Sequence, residues 1–282
     1  MDGLLRISLT GKISTVVDDS HYEANSGLDV VNNKIYVKPD SSSDVNYIRV
    51  YNMDGIHINS FSQPIQVDRF SDFKVLPGEG FAIFDNTGEK VYFLGPGGGW
   101  IKTFIVSDSS DNRYQDMDGI VVDNKLIIAS NQKGKVISFD LTDYEQTEFA
   151  DLSSLSDVGK YHITYYESKY YIYGTNKIYL LLKEGNELIE LAELPENNIV
   201  GMAIIQNTAY AAVNFSGEIY KVNLETGESE VFVEDLEYPK ALAINIDYDE
   251  IPEFPSWIIL PLFLIVTLSS IMLKKTLLRQ RS

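Results

Sequence analysis

The sequence predicts an all-β fold: a six-bladed β-propeller of four-stranded antiparallel blades, followed by one C-terminal transmembrane helix. Three observations carry this. Short runs alternating apolar and polar residues, broken by Gly, Asn and Asp, fill the chain up to about residue 246. A strand with an apolar anchor and a following turn recurs six times at a near-constant interval. A charge-free apolar run then occupies residues 257–273, between acidic and basic flanks.

The recurring strand starts from Leu5, Ile48, Val91, Val136, Ile178 and Ile219, spaced 43, 43, 45, 42 and 41 residues apart. Between successive anchors lies one pair of apolar runs. Clear examples are 28–31 with 34–37, 120–122 with 125–129, and 200–205 with 209–213. Each pair reads as a hairpin around a short Asn- or Gly-bearing turn. Each repeat therefore holds about four short strands, which is the make-up of a propeller blade. The innermost strands start near Gly27, Phe73, Gly119, His162 and Gly201, with a sixth at 239–245. Residues 241–245 and 4–17 belong to the same last blade, so the ring is expected to close by bringing N- and C-terminal strands together. That blade lacks a candidate for its second strand, because the chain after Asp247 runs into an acidic, Pro-containing stretch. The residues at Met1 also carry no basic and apolar export signal. Both gaps lead to the expectation that the natural protein begins upstream of Met1.

Length and charge set further bounds. The part before the tail, about 250 residues, is large enough for one domain with a real core. It carries 19 Lys and Arg against 41 Asp and Glu, a net charge near −22; the other four of the 23 basic residues are in the tail. Such a surface repels nucleic acid and anionic lipid, so no nucleic acid partner is expected. There is no Cys, so packing must hold the fold without disulfides. The 18 Tyr and 13 Phe favour strands.

The run 257–273 is just long enough to cross a hydrocarbon core at ~1.5 Å per residue. Trp257 sits where an interfacial anchor belongs, and Pro261 lies in the first turns, where its missing N–H costs little. Lys274, Lys275, Arg279 and Arg281 follow, and positive residues stay cytoplasmic. The expected organisation is a propeller ectodomain over 1–247, a linker and sorting motif over 248–256, the membrane helix over 257–273 and a basic cytoplasmic tail over 274–282. The expected orientation is N-out and C-in, in the cell membrane.

Two resemblances add to this. Pro252-Glu253-Phe254, then Pro255-Ser256-Trp257, an apolar span and a basic tail resemble the archaeal PEF-CTERM type of sorting signal. That resemblance implies display at the cell surface and processing near Pro252, Glu253 and Phe254 by an archaeosortase-like enzyme. Residues 117–129, Met-Asp-Gly-Ile-Val-Val-Asp-Asn-Lys-Leu-Ile-Ile-Ala, and more loosely 26–37, resemble the six-bladed propellers of the NHL and gluconolactonase-like superfamilies. Gluconolactonase-like enzymes hold a divalent cation at the channel mouth. By that resemblance Asp118 and Asn25 are the metal candidates, with a hard cation such as calcium. The plainer reading is that both residues cap turns and bond their own backbone.

Residues opening the innermost strands point toward the channel mouth in such a ring. The candidates are Asn25, Asp72, Asp116, Asp118, His162, Asn198 and Lys240. No complete catalytic set is visible, and no catalytic residue is assigned. His21, His57 and His162 have no zinc-site spacing, and no Ser lies in a Gly-x-Ser-x-Gly elbow. Gly95–Trp100 precedes a strand, so it reads as a hairpin loop and not as a phosphate cradle. The Tyr-rich stretch from Tyr161 to Tyr179 reads as packing between blades. The expected function is a surface-anchored binding module for a protein or glycan ligand. A metal-dependent gluconolactonase-like hydrolase and a membrane-tethered intracellular interaction domain are the alternatives.

Overall fold

The computed structural model describes residues 4–8, 10–17, 27–38, 47–62, 67, 70–85, 90–106, 117–130, 134–155, 161–182, 187–236, 239 and 241–243. The chain divides into units 1–244 and 245–282, the second of which lies wholly outside the described residues. The candidate membrane helix, the basic tail and Pro252, Glu253 and Phe254 fall there. No helix among the described residues is long and apolar enough to cross a membrane.

Twenty-two strands, β1 to β22, make up the described fold, which contains no helix. Five four-stranded antiparallel sheets follow the chain as simple meanders. Blade 1 comprises β3 (Leu28–Val31), β4 (Lys34–Val37), β5 (Tyr47–Asn52) and β6 (His57–Ser62). Blade 2 comprises β7 (Phe70–Leu76), β8 (Gly80–Asp85), β9 (Lys90–Leu94) and β10 (Trp100–Ile105). Blade 3 comprises β11 (Asp118–Val122), β12 (Lys125–Ser130), β13 (Lys135–Asp140) and β14 (Gln146–Asp151). Blade 4 comprises β15 (Tyr161–Tyr166), β16 (Lys169–Gly174), β17 (Lys177–Leu182) and β18 (Glu187–Glu193). Blade 5 comprises β19 (Ile199–Ile205), β20 (Thr208–Val213), β21 (Glu218–Asn223) and β22 (Ser229–Val233). The expected propeller is present, but with five blades where the repeat count gave six. The sixth anchor, Leu5, belongs to a two-stranded sheet of β1 (Leu4–Ile7) and β2 (Ile13–Val17). A blade needs four paired strands, and residues 241–243, expected as an innermost strand, pair with none among the described residues.

Each blade buries both faces against its neighbours, so its two inner hairpins are apolar almost throughout. Phe73, Phe81 and Ile83 of blade 2 pack with Tyr36, Ile48 and Val50 of blade 1. Phe84, Phe93 and Val91 pack with Met117, Leu126 and Phe139 of blade 3. The same layering continues between blades 3 and 4 and between blades 4 and 5. Tyr161, Tyr171 and Tyr173 are buried there, and the Phe149 ring of blade 3 meets the Tyr170 ring of blade 4 with centroids 4.9 Å apart. A buried Phe contributes on the order of 2–3 kcal/mol by removal from water. The β1–β2 sheet lies between the last and first blades: Leu4 and Val16 pack on blade 1, while Ile7 packs on blade 5 with Leu242. The Arg6 guanidinium donates to the Met53 carbonyl of blade 1.

The two ends of the ring differ. At one end the first and second strands of blades 1, 3, 4 and 5 are joined by Asn32-Asn33, Asp123-Asn124, Glu167-Ser168 and Gln206-Asn207, all at positive φ. Such turns match the twist of the strands they join and leave almost no loop. At the other end β4, β10 and β14 finish and β5, β11 and β15 begin. A polar or small residue ends each second strand at that face: Lys38, Asp85, Ser130, Gly174 and Asn214. Lys38 Nζ donates to Phe70 O of the next blade at 2.7 Å, 4.9 Å from the Phe70 ring centroid. Asn214 Nδ2 donates to Pro239 O at 2.8 Å in the same way.

Candidate functional site

The face at which the innermost strands begin also carries their charged groups. Strand register explains why they meet. Asp72 pairs with Phe84, Asp118 with Ala129 and His162 with Tyr173, each one residue before the polar or small residue that ends the second strand. The three therefore occupy one level of consecutive blades. Leu28, opposite Val37, holds that level in blade 1.

Lys74, two residues into the strand from Asp72 and on the same side of it, links them. Its ammonium lies 3.3 Å from Asp72 Oδ2 and 3.4 Å from Asp118 Oδ1. Asp118 Oδ1 also accepts from the Gly119 N–H at 2.8 Å, and Oδ2 from the Ile163 N–H of the next blade at 3.2 Å. His162 Nδ1 is 3.5 Å from Asp118 Oδ2, and its ring stacks on Tyr173 with centroids 5.2 Å apart. Asp29 repeats the tie between blades: Oδ2 accepts from the Val75 N–H at 2.8 Å and Oδ1 from the Val30 N–H at 3.0 Å.

The electrostatics separate the two central carboxylates. Burial opposes the charge of Asp118, but Lys74, His162 and the Ile163 N–H outweigh it and hold the carboxyl below the usual range. At Asp72 burial wins over Lys74, with Asp118 adding repulsion, and the carboxyl is pushed up to about 7. Asp72 Oδ1 is buried with no hydrogen-bond partner and faces Gly27, where a Cβ would lie only 2.5 Å away. Burial also opposes the Lys74 charge, yet Asp72, Asp118 and Asp29 together hold the ammonium well above its ordinary value. Burial raises the Asp29 carboxyl and pushes the Tyr173 hydroxyl well up.

Of the residues singled out from sequence, Asp72, Asp118 and His162 come together here. Asn198 does not join them. It adopts φ 78°, and its carbonyl accepts from the Asn214 N–H at 3.0 Å, so it closes the connection into β19. Asn25, Asp116 and Lys240 lie outside the described residues. Lys74 was not anticipated, although a Lys two places after Asp72 in an otherwise apolar strand was the available signal. Among the described residues no group of three or more His, Asp or Glu is placed to hold a metal ion. The central pair Asp72 and Asp118 is instead bridged by an ammonium, and this arrangement can accept or release one proton near neutral pH.

No family model matches the chain, and no curated protein matches it. Solved structures do. A virginiamycin B lyase from Staphylococcus aureus superposes with a TM-score of 0.57 at 15% identity, over 76% of this chain and 72% of that one. A catalytically inactive variant of virginiamycin B lyase from that organism, with quinupristin, gives 0.57 at 14% identity over 80% and 76%. An auxiliary nutrient binding protein from Bacteroides ovatus gives 0.59 at 10% identity over 79% and 64%. At these identities the likeness is one of fold: this chain is similar to lyases and to a binding protein built as β-propellers.

Proposed function

We propose that this chain is a binding propeller displayed at the cell surface, which takes a protein or glycan ligand on the face around Asp72, Lys74, Asp118 and His162. The observation that carries this is the state of that cluster. Lys74 engages both carboxylates, and both Asp118 oxygens are also occupied by backbone N–H groups. A preset polar floor at the end of a rigid scaffold suits recognition. Anchoring through 257–273 and processing at Pro252, Glu253 and Phe254 by an archaeosortase-like enzyme complete the reading, as do the finer NHL-like kinship and an archaeal origin.

The test has two parts. Protease applied to intact cells should digest the propeller from outside; full protection would replace this reading with the membrane-tethered intracellular domain. The purified protein should retain members of a glycan and secreted-protein panel, and His162→Ala should weaken that retention while Asn124→Ala, on the opposite face, should not. Equal loss in both variants would sink the ligand face.

A second reading, a metal-dependent hydrolase of the gluconolactonase type, is favoured by the pairing of Asp118 with His162 at the mouth. Asp118 and Asn25 would then ligate a cation such as calcium. Lactone hydrolysis that needs calcium, manganese or zinc and vanishes in Asp118→Ala would establish that reading over the first.

A further inference from the structure

The outermost strands of the five blades differ in charge. β14, β18 and β22 carry Glu148 and Asp151, then Glu187, Glu190 and Glu193, then Glu230, so that exposed apolar residues such as Ile189 and Val231 stand beside carboxylates. β6 (His-Ile-Asn-Ser-Phe-Ser) and β10 (Trp-Ile-Lys-Thr-Phe-Ile) carry no acid. Charges on an edge strand keep other molecules off it, and the edges of blades 1 and 2 lack that guard. Ile56, Ile58, Trp100, Ile101 and Ile105, on or beside these two strands, are all exposed. In a chain of net charge −18, an acid-free apolar sector of this kind marks an interaction site.

Its centre is Trp100, which is 56% exposed. The indole N–H donates to Thr103 Oγ1 at 3.0 Å, which orients the ring. The turn before it, Gly95-Pro-Gly-Gly-Gly99, presents bare main chain. Gly97 at φ 84° and Gly98 at φ 87° hold a backbone conformation that suits glycine. At Gly97 and Gly99 nothing lies within 4 Å of the place a Cβ would take. The turn is nevertheless held: the Gly95 N–H donates to Gly99 O at 2.8 Å and the Gly98 N–H to Gly95 O at 3.0 Å. Gly98 also rests against Ser62 O of blade 1, and Ile101 packs against Gly95. Ring and turn thus form one shelf, peptide groups beside an indole. Leu94, just before the turn, pairs with Phe81 near the start of β8, so the shelf lies at the end of the ring away from Asp72 and Asp118.

We propose that Trp100 and the Gly95–Gly99 turn bind a neutral glycan, with one pyranose ring stacked on the indole and its hydroxyls bonded to the peptide groups of the turn. Three features select this occupant. The C–H face of a pyranose is flat and apolar, which matches an oriented, exposed indole. Its hydroxyls both donate and accept, which matches N–H and C=O groups that no side chain covers. No charge on the ligand is called for, because β6 and β10 carry no carboxylate and the Lys102 ammonium is turned to the rings of Phe104 and Tyr144, 4.5 and 5.9 Å from their centroids. A purely apolar partner would bury the peptide groups of the turn unpaired, which is costly. This site is independent of the ligand face around Asp72, and its success or failure leaves that reading untouched.

The test uses the full chain with Trp257→Phe, which leaves Trp100 as the one indole. Its fluorescence is followed while cellohexaose, maltohexaose and N-acetylchitohexaose are added, with hexagalacturonate as the charged control. At least one neutral hexasaccharide should give a saturable change, and hexagalacturonate none. By calorimetry, Trp100→Ala should weaken that binding about tenfold or more. Gly99→Val, which sets a side chain on the shelf, should weaken it likewise, while Trp100→Tyr keeps most of it and His162→Ala leaves it unchanged. Failure of all three neutral sugars to bind, equal binding of hexagalacturonate, or binding that survives Trp100→Ala overturns the proposal. So does an indole already shielded from acrylamide in the free protein, which would mean that this chain or a second copy covers it.

Discussion

Replacing Asp72 with Asn should stabilise the propeller, and by an amount that grows with pH. Asp72 has its second oxygen beside Lys74 and its first buried without a partner. In the folded protein its carboxyl is pushed up to about 7, from 3.8 for an unburied Asp. Between those values the folded state holds a proton that the unfolded chain has released. Unfolding is then favoured by rising pH, so the contribution of this group is full below about pH 4 and is lost progressively up to about pH 7. A displacement of about three pH units corresponds to a ceiling of about 4 kcal/mol. Asn keeps the shape and an amide oxygen for Lys74 but cannot ionise. The stability difference between Asp72→Asn and the parent, from urea unfolding at pH 4.5, 6 and 8, should therefore widen by ~2–4 kcal/mol and level off above pH 7. A difference that stays constant across this range would refute the reasoning, because it would mean that Asp72 ionises alike in both states.

Three further outcomes rest on the same contacts. Lys74→Met removes the bridging ammonium between Asp72 and Asp118 and should cost about 3–5 kcal/mol at pH 8, but less at pH 5, where Asp72 is neutral; urea midpoints at the two pH values check this. Asn214→Ala leaves the Pro239 carbonyl without its donor and should cost about 1–3 kcal/mol, with faster proteolysis near residues 234–243 as the local readout. Phe93→Ala empties a site where Phe104, Phe139 and Tyr144 meet edge-on and should cost about 3–5 kcal/mol by chemical unfolding.

Much of the scaffold was legible because short-range chemistry dictates it. The hairpins at 28–37, 120–129 and 200–213 follow from alternation around Asn- or Asp-containing turns, and the structure places positive-φ turns at those points. The interval between anchors revealed the propeller but overcounted its blades. Leu5 has the local pattern of a third strand, yet a blade also requires a second strand beside it, and an anchor count is blind to that partner. Asp72, Asp118 and His162 each lie at or near the start of an innermost strand, and strand register alone puts them on one level. Lys74 was not legible, because a charge inside an apolar strand looks like a solvent-facing position until the neighbouring blade supplies Asp118. Asn198 lies at the same face, opposite Asn214, and its positive φ serves the turn into β19.

The ties of Lys38 to Phe70 and of Asn214 to Pro239 run in one direction, from a finished hairpin to the chain that follows it. The carboxylates of Asp29 and Asp118 likewise reach forward, to Val75 and Ile163. During synthesis blades 1 and 3 can thus grip the segment that follows them without waiting for the C-terminus. The seam where β1 and β2 meet blade 5 differs, because it joins segments about two hundred residues apart in the chain.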